Sequence, residues 1–86
     1  MEIEFSKKFT KQFSKQPVKI KQVFYKRLEI FEQDEHDAIL RNHALKGKYQ
    51  NYRSIDITGD VRALYVKRGE TIVIFGFIGS HSQLYR

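Results

Sequence analysis

The chain has 86 residues, with 16 Lys or Arg against 10 Asp or Glu, giving a formal charge of +6. Hydrophobic residues make up 41%, including seven Phe and five Tyr: enough for one thin core, and too aromatic for intrinsic disorder. The absence of cysteine excludes a disulfide scaffold, thiolate metal sites and a Cys nucleophile. The opening MEIEFSKKFTKQF interleaves charges with single apolar residues, so neither a signal peptide nor a membrane span is expected. The expectation is a soluble, cytoplasmic protein with a single domain over residues 1–86.

The charge is unevenly spread. Residues 1–30 carry eight basic and three acidic side chains, residues 31–43 one basic and four acidic, and residues 44–86 seven basic and three acidic. A basic excess attracts polyanions through counterion release, although a solvated lysine face that serves only solubility has the same composition.

Ile3 and Phe5 alternate with Glu2 and Glu4, the period of a short strand. Ser6 is placed to cap a helix on which Phe9 and Phe13 share a face, and Pro17 ends that helix or begins the next. Ile20, Val23, Phe24, Leu28 and Phe31 then recur at helical spacing to about Gln33, which predicts a second helix antiparallel to the first. Residues 34–47 have no sustained period, and Ile39, Leu40 and Leu45 suit a short helical turn. Beyond Gly47 the period becomes two. Strands are predicted around Arg53–Ile57, after the turn Thr58-Gly59-Asp60, and after the turn Arg68-Gly69-Glu70. The last, TIVIFGFI, is the most apolar run and is expected at the centre of the sheet. The order β-α-α-β-β-β describes an α+β fold: a helical hairpin packed on a mostly antiparallel sheet.

Three groups of residues could carry chemistry. His43 in NHALKG and His81 in GSHSQLY flank the strands, where loops present functional groups, and imidazole suits proton transfer near neutral pH. A lone histidine is more often structural, and no metal-ligand spacing such as HxH or HExxH occurs. In DITGDVRALY, Arg62 stands near Asp56 and Asp60, as a structural ion pair or as a clamp for a phosphate. Arg53 is open to the same two readings. Lys46, Lys48, Tyr49 and Tyr52, with Tyr85 and Arg86 at the end, interleave cations with aromatics as single-stranded RNA binding requires. For Tyr65 the rim of a small core is the favoured place.

The phrases NHALKG, YRSIDITGDVRALYV and IGSHSQLY, in this order, resemble the RelE/ParE superfamily of bacterial and archaeal toxins, and among its branches YafQ most. The resemblance implies a microbial RNase-type fold and a metal-independent, ribosome-dependent mRNA endoribonuclease without a cofactor. It also implies a cognate antitoxin as partner, and operator DNA as a partner of the toxin–antitoxin complex alone. By position it assigns catalytic roles to His43, Asp60, His81 and Tyr85, and from the RelE pattern to Arg62. Where the YafQ pattern has a histidine this chain has Asp56, a possible additional acid or base, and Val61 stands where it has tryptophan. The basic and aromatic group, Lys46, Lys48, Tyr49, Arg53 and Arg86, is the expected RNA-binding set. A ParE-like gyrase inhibitor on the same fold and a catalytically weakened ribosome or nucleic-acid binder are the rival expectations.

Overall fold

The structure is a computed structural model and describes residues 1–85. Five strands form one sheet: β1 (Glu2–Phe5), β2 (His43–Ala44), β3 (Arg53–Asp56), β4 (Val61–Arg68) and β5 (Ile72–Ser80). Their spatial order is β1-β5-β4-β3-β2, with β1 parallel to β5 and every other pair antiparallel. Helices α1 (Lys7–Ser14) and α2 (Val18–Gln33) cover one face, and a third helix, α3 (His81–Leu84), follows β5 directly. Among the described residues, no helix is long and apolar enough to cross a membrane.

The predicted caps are present. The Ser6 hydroxyl accepts from the Phe9 amide and donates to the Gly76 carbonyl, so one side chain starts α1 and fastens it to β5. Pro17 is the N-cap residue of α2, with extended ψ, at a helix start where its missing amide costs no hydrogen bond. Phe9, Phe24, Phe31 and Phe75 are all at most 3% exposed and form the centre of the core with Ile55, Ile57, Ala63 and Tyr65. Burying each such ring contributes about 1.5–3 kcal/mol.

A bulge shifts the phase of β5. Leu64 pairs with Phe77 but Tyr65 pairs with Phe75, which leaves Gly76 as the extra residue. Val73 and Phe75 therefore face the helices before the bulge and Ile78 faces them after it, while Phe77 turns to the opposite face. That opposite face has apolar packing of its own. Leu64, Leu84 and Tyr49 make a second, smaller cluster there, with Leu45, Tyr52 and Phe77 packed against it.

Four sequence expectations are corrected. The most apolar strand, β5, is second in the sheet rather than central, because β1 adds in parallel along its outer edge; β4 holds the centre. The segment around His43 is not a loop before the sheet but its edge strand, with His43 paired to Ser54. His81 likewise lies in no loop: Ser80 and Gln83 form a reciprocal capping box that turns the chain straight from β5 into α3. Tyr65, placed by expectation at a rim, is fully buried.

Candidate active site

The sheet face away from α1 and α2 bears a cleft of about 360 Å3 lined by Arg41, His43, Ser54, Asp56, Arg62, His81 and Tyr85, with an apolar floor of Leu45, Leu64 and Leu84. Cross-strand register explains the assembly. His43 pairs with Ser54, Ser54 with Leu64, Asp56 with Arg62, and Arg62 with Gly79, so alternate residues of four strands emerge on one surface. Gly79 offers no side chain opposite Arg62, and α3 packs Gln83 and Leu84 against it, which sets His81 and Tyr85 on the wall of the cleft.

Arg62 is fixed from several directions. Its Nε stands 3.0 Å from an Asp56 carboxylate oxygen, and one amino group donates to the carbonyls of Thr58 and Gly59 at 3.2 and 3.0 Å. The other Asp56 oxygen is 3.7 Å from Arg41 Nε. Two guanidinium groups thus share one carboxylate, and the cleft keeps an excess of positive charge. Arg41 sits at φ +49°, an uncommon conformation for a side chain of its size, and this turns its carbonyl back toward His43.

His43 Nδ1 lies 2.8 Å from that Arg41 carbonyl. A carbonyl only accepts, so Nδ1 carries the proton and Nε2 is the nitrogen left for chemistry. Beneath it, the neighbouring Asn42 is held from three sides. Its side-chain oxygen accepts from Arg53 Nε at 2.8 Å, and its amide donates to the Tyr65 hydroxyl at 2.7 Å and to the Glu35 carbonyl at 2.9 Å. Tyr65 in turn donates to the Glu35 carboxylate, which also pairs with Lys67. Burial acts to raise the Glu35 pKa, but the Lys67 hydrogen bond and charge, the Tyr65 hydroxyl and nearby His36 outweigh it, and the net direction is downward. Burial holds the Tyr65 phenol above its ordinary range.

On the opposite wall, the His81 ring stacks on Tyr85 with centroids 4.7 Å apart, the i, i+4 spacing of one helical turn. Tyr85 meets Tyr49 edge-on at 5.2 Å. The Tyr49 hydroxyl donates to the Leu84 carbonyl at 2.6 Å and Lys48 Nζ donates to the same oxygen at 3.0 Å, so two side chains cap the end of α3. Burial pushes the Tyr49 phenol up.

Of the residues singled out from sequence, the cleft gathers His43, Asp56, Arg62, His81 and Tyr85. Asp60 lies in the exposed turn, its amide bonded to Thr58, and the carboxylate that reaches Arg62 is Asp56 instead. Both Asp56 oxygens face guanidinium groups, Arg62 at 3.0 Å and Arg41 at 3.7 Å. Arg53 points to the helical face and serves the Asn42 network. Lys46 is exposed and outside the cleft, Lys48 and Tyr49 stand behind α3, and Arg86 lies outside the described residues. Arg41 is the participant the sequence did not reveal, since it sits in the acidic segment and its role depends on a left-handed backbone. Two imidazoles beside excess guanidinium charge offer proton transfer at an anionic centre.

The sequence matches, over residues 1–86, the family model described as the bacterial toxin of type II toxin–antitoxin systems, YafQ. No curated protein matches it at a significant level. Among solved structures, YafQ from Escherichia coli BL21(DE3) superposes with a TM-score of 0.75 at 20% identity, over 99% of this chain and 98% of that one. A YoeB/ParE toxin from Agrobacterium tumefaciens gives 0.77 at 14% identity, over 94% and 99%. The E. coli DinJ–YafQ complex gives 0.72 at 21% identity, over 99% and 98%. These likenesses establish a common fold, and with the family match over its whole length the chain belongs to the YafQ family of bacterial type II toxin–antitoxin toxins.

Proposed function

We propose that this toxin is a ribosome-dependent mRNA endoribonuclease. One observation carries the reading: His43 and His81, distant in sequence, line one cleft with Arg62 between them on the sheet. RNA brings its own nucleophile, the 2′-hydroxyl, so a base, an acid and a cation complete the requirement. His43 Nε2 takes the 2′ proton, the 2′ oxygen attacks phosphorus, and the bond to the 5′ oxygen breaks as His81 protonates that leaving group. The products are a 2′,3′-cyclic phosphate and a 5′-hydroxyl. Arg62 and Arg41 neutralise the charge that builds on the phosphoryl oxygens, and Tyr85 holds the His81 ring and offers its face to a base. Asp60, outside the cleft, has no part in this scheme.

The partners follow from the same reading. The E. coli relative is known in complex with DinJ, and a cognate antitoxin is proposed here as well: an acidic, partly disordered chain that folds against a surface of charge +6. Operator DNA is bound by that complex, while the free toxin acts on mRNA in the ribosome in the cytoplasm.

The test is cleavage of mRNA on programmed ribosomes, read by primer extension. Each of His43→Ala and His81→Ala should lower the rate by about 10²–10⁴. A double variant as active as the wild type would rule the assignment out. Growth arrest that halts replication and leaves mRNA intact would support the gyrase-directed alternative.

A further inference from the structure

Behind α3 lies a second cleft, of about 380 Å3, which shares Leu84 with the histidine cleft. Its wall is aromatic. Tyr52 and Phe77 are both half-buried, with ring centroids 5.4 Å apart at 63°, and Tyr49 supports Phe77 edge-on at 5.0 Å. Tyr52 lies across β5 because residue 76 is glycine; a Cβ there would stand 2.9 Å from the ring. The bulge that leaves Gly76 unpaired thus also makes room for a ring laid against the strand.

The polar groups around this wall are donors. The Gln12 side-chain oxygen accepts from the Ile78 amide at 2.9 Å and that of Gln83 from the Ser80 amide at 2.8 Å, so each has its NH2 group to offer a ligand. Lys8 and Lys48 add two positive charges, and none of the described residues lining the cleft is acidic. An aromatic wall under a rim of donors fits a flat, acceptor-rich, anionic ligand. Continuity names it: the Tyr49 ring on this side packs edge-on against Tyr85 of the histidine cleft, centroids 5.2 Å apart, and Leu84 lines both, so the two clefts adjoin across α3.

We propose that this cleft is a second nucleotide subsite, in which the base next to the scissile phosphate stacks on Tyr52 and Phe77 while Lys8 meets its phosphate. The proposal rests on the nuclease reading and adds a position for the neighbouring nucleotide. Its test uses ribosomes programmed with messages carrying one abasic nucleotide on either side of the cleavage point. Loss of the base on one side should slow the wild type about tenfold, and the same message should cost Tyr52→Leu almost nothing further, because the ring is already gone. Phe77→Leu replaces Tyr52→Leu if the latter fails to give a native circular dichroism spectrum. Lys8→Glu, on the exposed side of α1, should slow cleavage of the intact message several-fold. Equal abasic costs in wild type and variant, or a wild-type rate for Lys8→Glu, overturns the subsite while wild-type cleavage upholds the nuclease. Absence of any cleavage by the wild type overturns both.

Discussion

Asp56 and Arg62 face each other in register across β3 and β4, and their side chains close to 3.0 Å on the surface that also bears both cleft histidines. The carboxylate is 13% exposed and the guanidinium 27%, so the pair is shielded on one side and open to the cleft on the other. Such a pair orients the arginine more than it stabilises the fold. Arg62→Ala should lower cleavage on programmed ribosomes by about 10²–10³, the range for removing a donor aimed at developing charge. Arg62→Lys should recover little of it, since an ammonium cannot hold Asp56 and the turn carbonyls with one planar fork. Asp56→Asn leaves the arginine in place but loosely held, and should cost about tenfold, read as a fall in kcat with little change in KM.

Asn42 connects that surface to the core. Its side chain joins Arg53, Tyr65 and the Glu35 carbonyl in one network, and its backbone leads directly into His43. Asn42→Ala removes the acceptor for Arg53 Nε and one partner of Tyr65, at a cost of about 2–3 kcal/mol in stability. Activity should fall further than the loss of folded protein explains, because the backbone that sets the His43 ring is freed. Denaturant unfolding and cleavage rates measured on the same preparation distinguish the two contributions.

Glu35 gives the fold an acid-sensitive element. Its folded-state pKa lies below the ordinary glutamate value, so its contribution is fully present above that ordinary value. As pH falls through the folded-state pKa the carboxylate takes a proton, the Lys67 ion pair is lost, and the contribution disappears. Stability measured by urea unfolding from about pH 6 down to about pH 3 should therefore fall for the wild type. Glu35→Gln should be less stable at the upper end and show a shallower fall. Parallel curves for the two proteins would remove Glu35 from this role.

Much of this was legible in the residues. Phe9 and Phe13 four apart, the capping serine before them, and period-two alternation after Gly47 specify the helical hairpin and the antiparallel strands. What stayed hidden depends on register and backbone conformation. The two-residue strand at His43 is too short to show a period, and the left-handed Arg41 leaves no trace in composition. Asp60 was the more obvious companion for Arg62, being nearer in sequence, but an antiparallel ladder brings Asp56 opposite instead. Pleating likewise sends Arg53 to the helical face, away from the cleft, although it stands only three residues before Asp56. The phase shift at Gly76, which puts Phe77 on the face away from α1 and α2, is visible only once β4 is paired with β5.

The short helix α3 depends on Tyr49. Four residues cannot hold a helix in water, and here the last carbonyl is tied down by the Tyr49 hydroxyl and Lys48 while Leu84 is buried beneath. Tyr49→Phe keeps the ring against Phe77 and Tyr85 but removes the shorter and more buried of the two caps, for about 1 kcal/mol of stability. The larger consequence falls on the cleft, because His81 and Tyr85 are carried by the same turn. Amide exchange should accelerate at Leu84 and Tyr85 while the strands keep their protection. Cleavage should drop several-fold with the Arg62 side of the cleft intact. Lys48→Met tests the more exposed cap: a smaller loss in both measurements is expected, and a loss equal to that of Tyr49→Phe would transfer the anchoring role to the lysine.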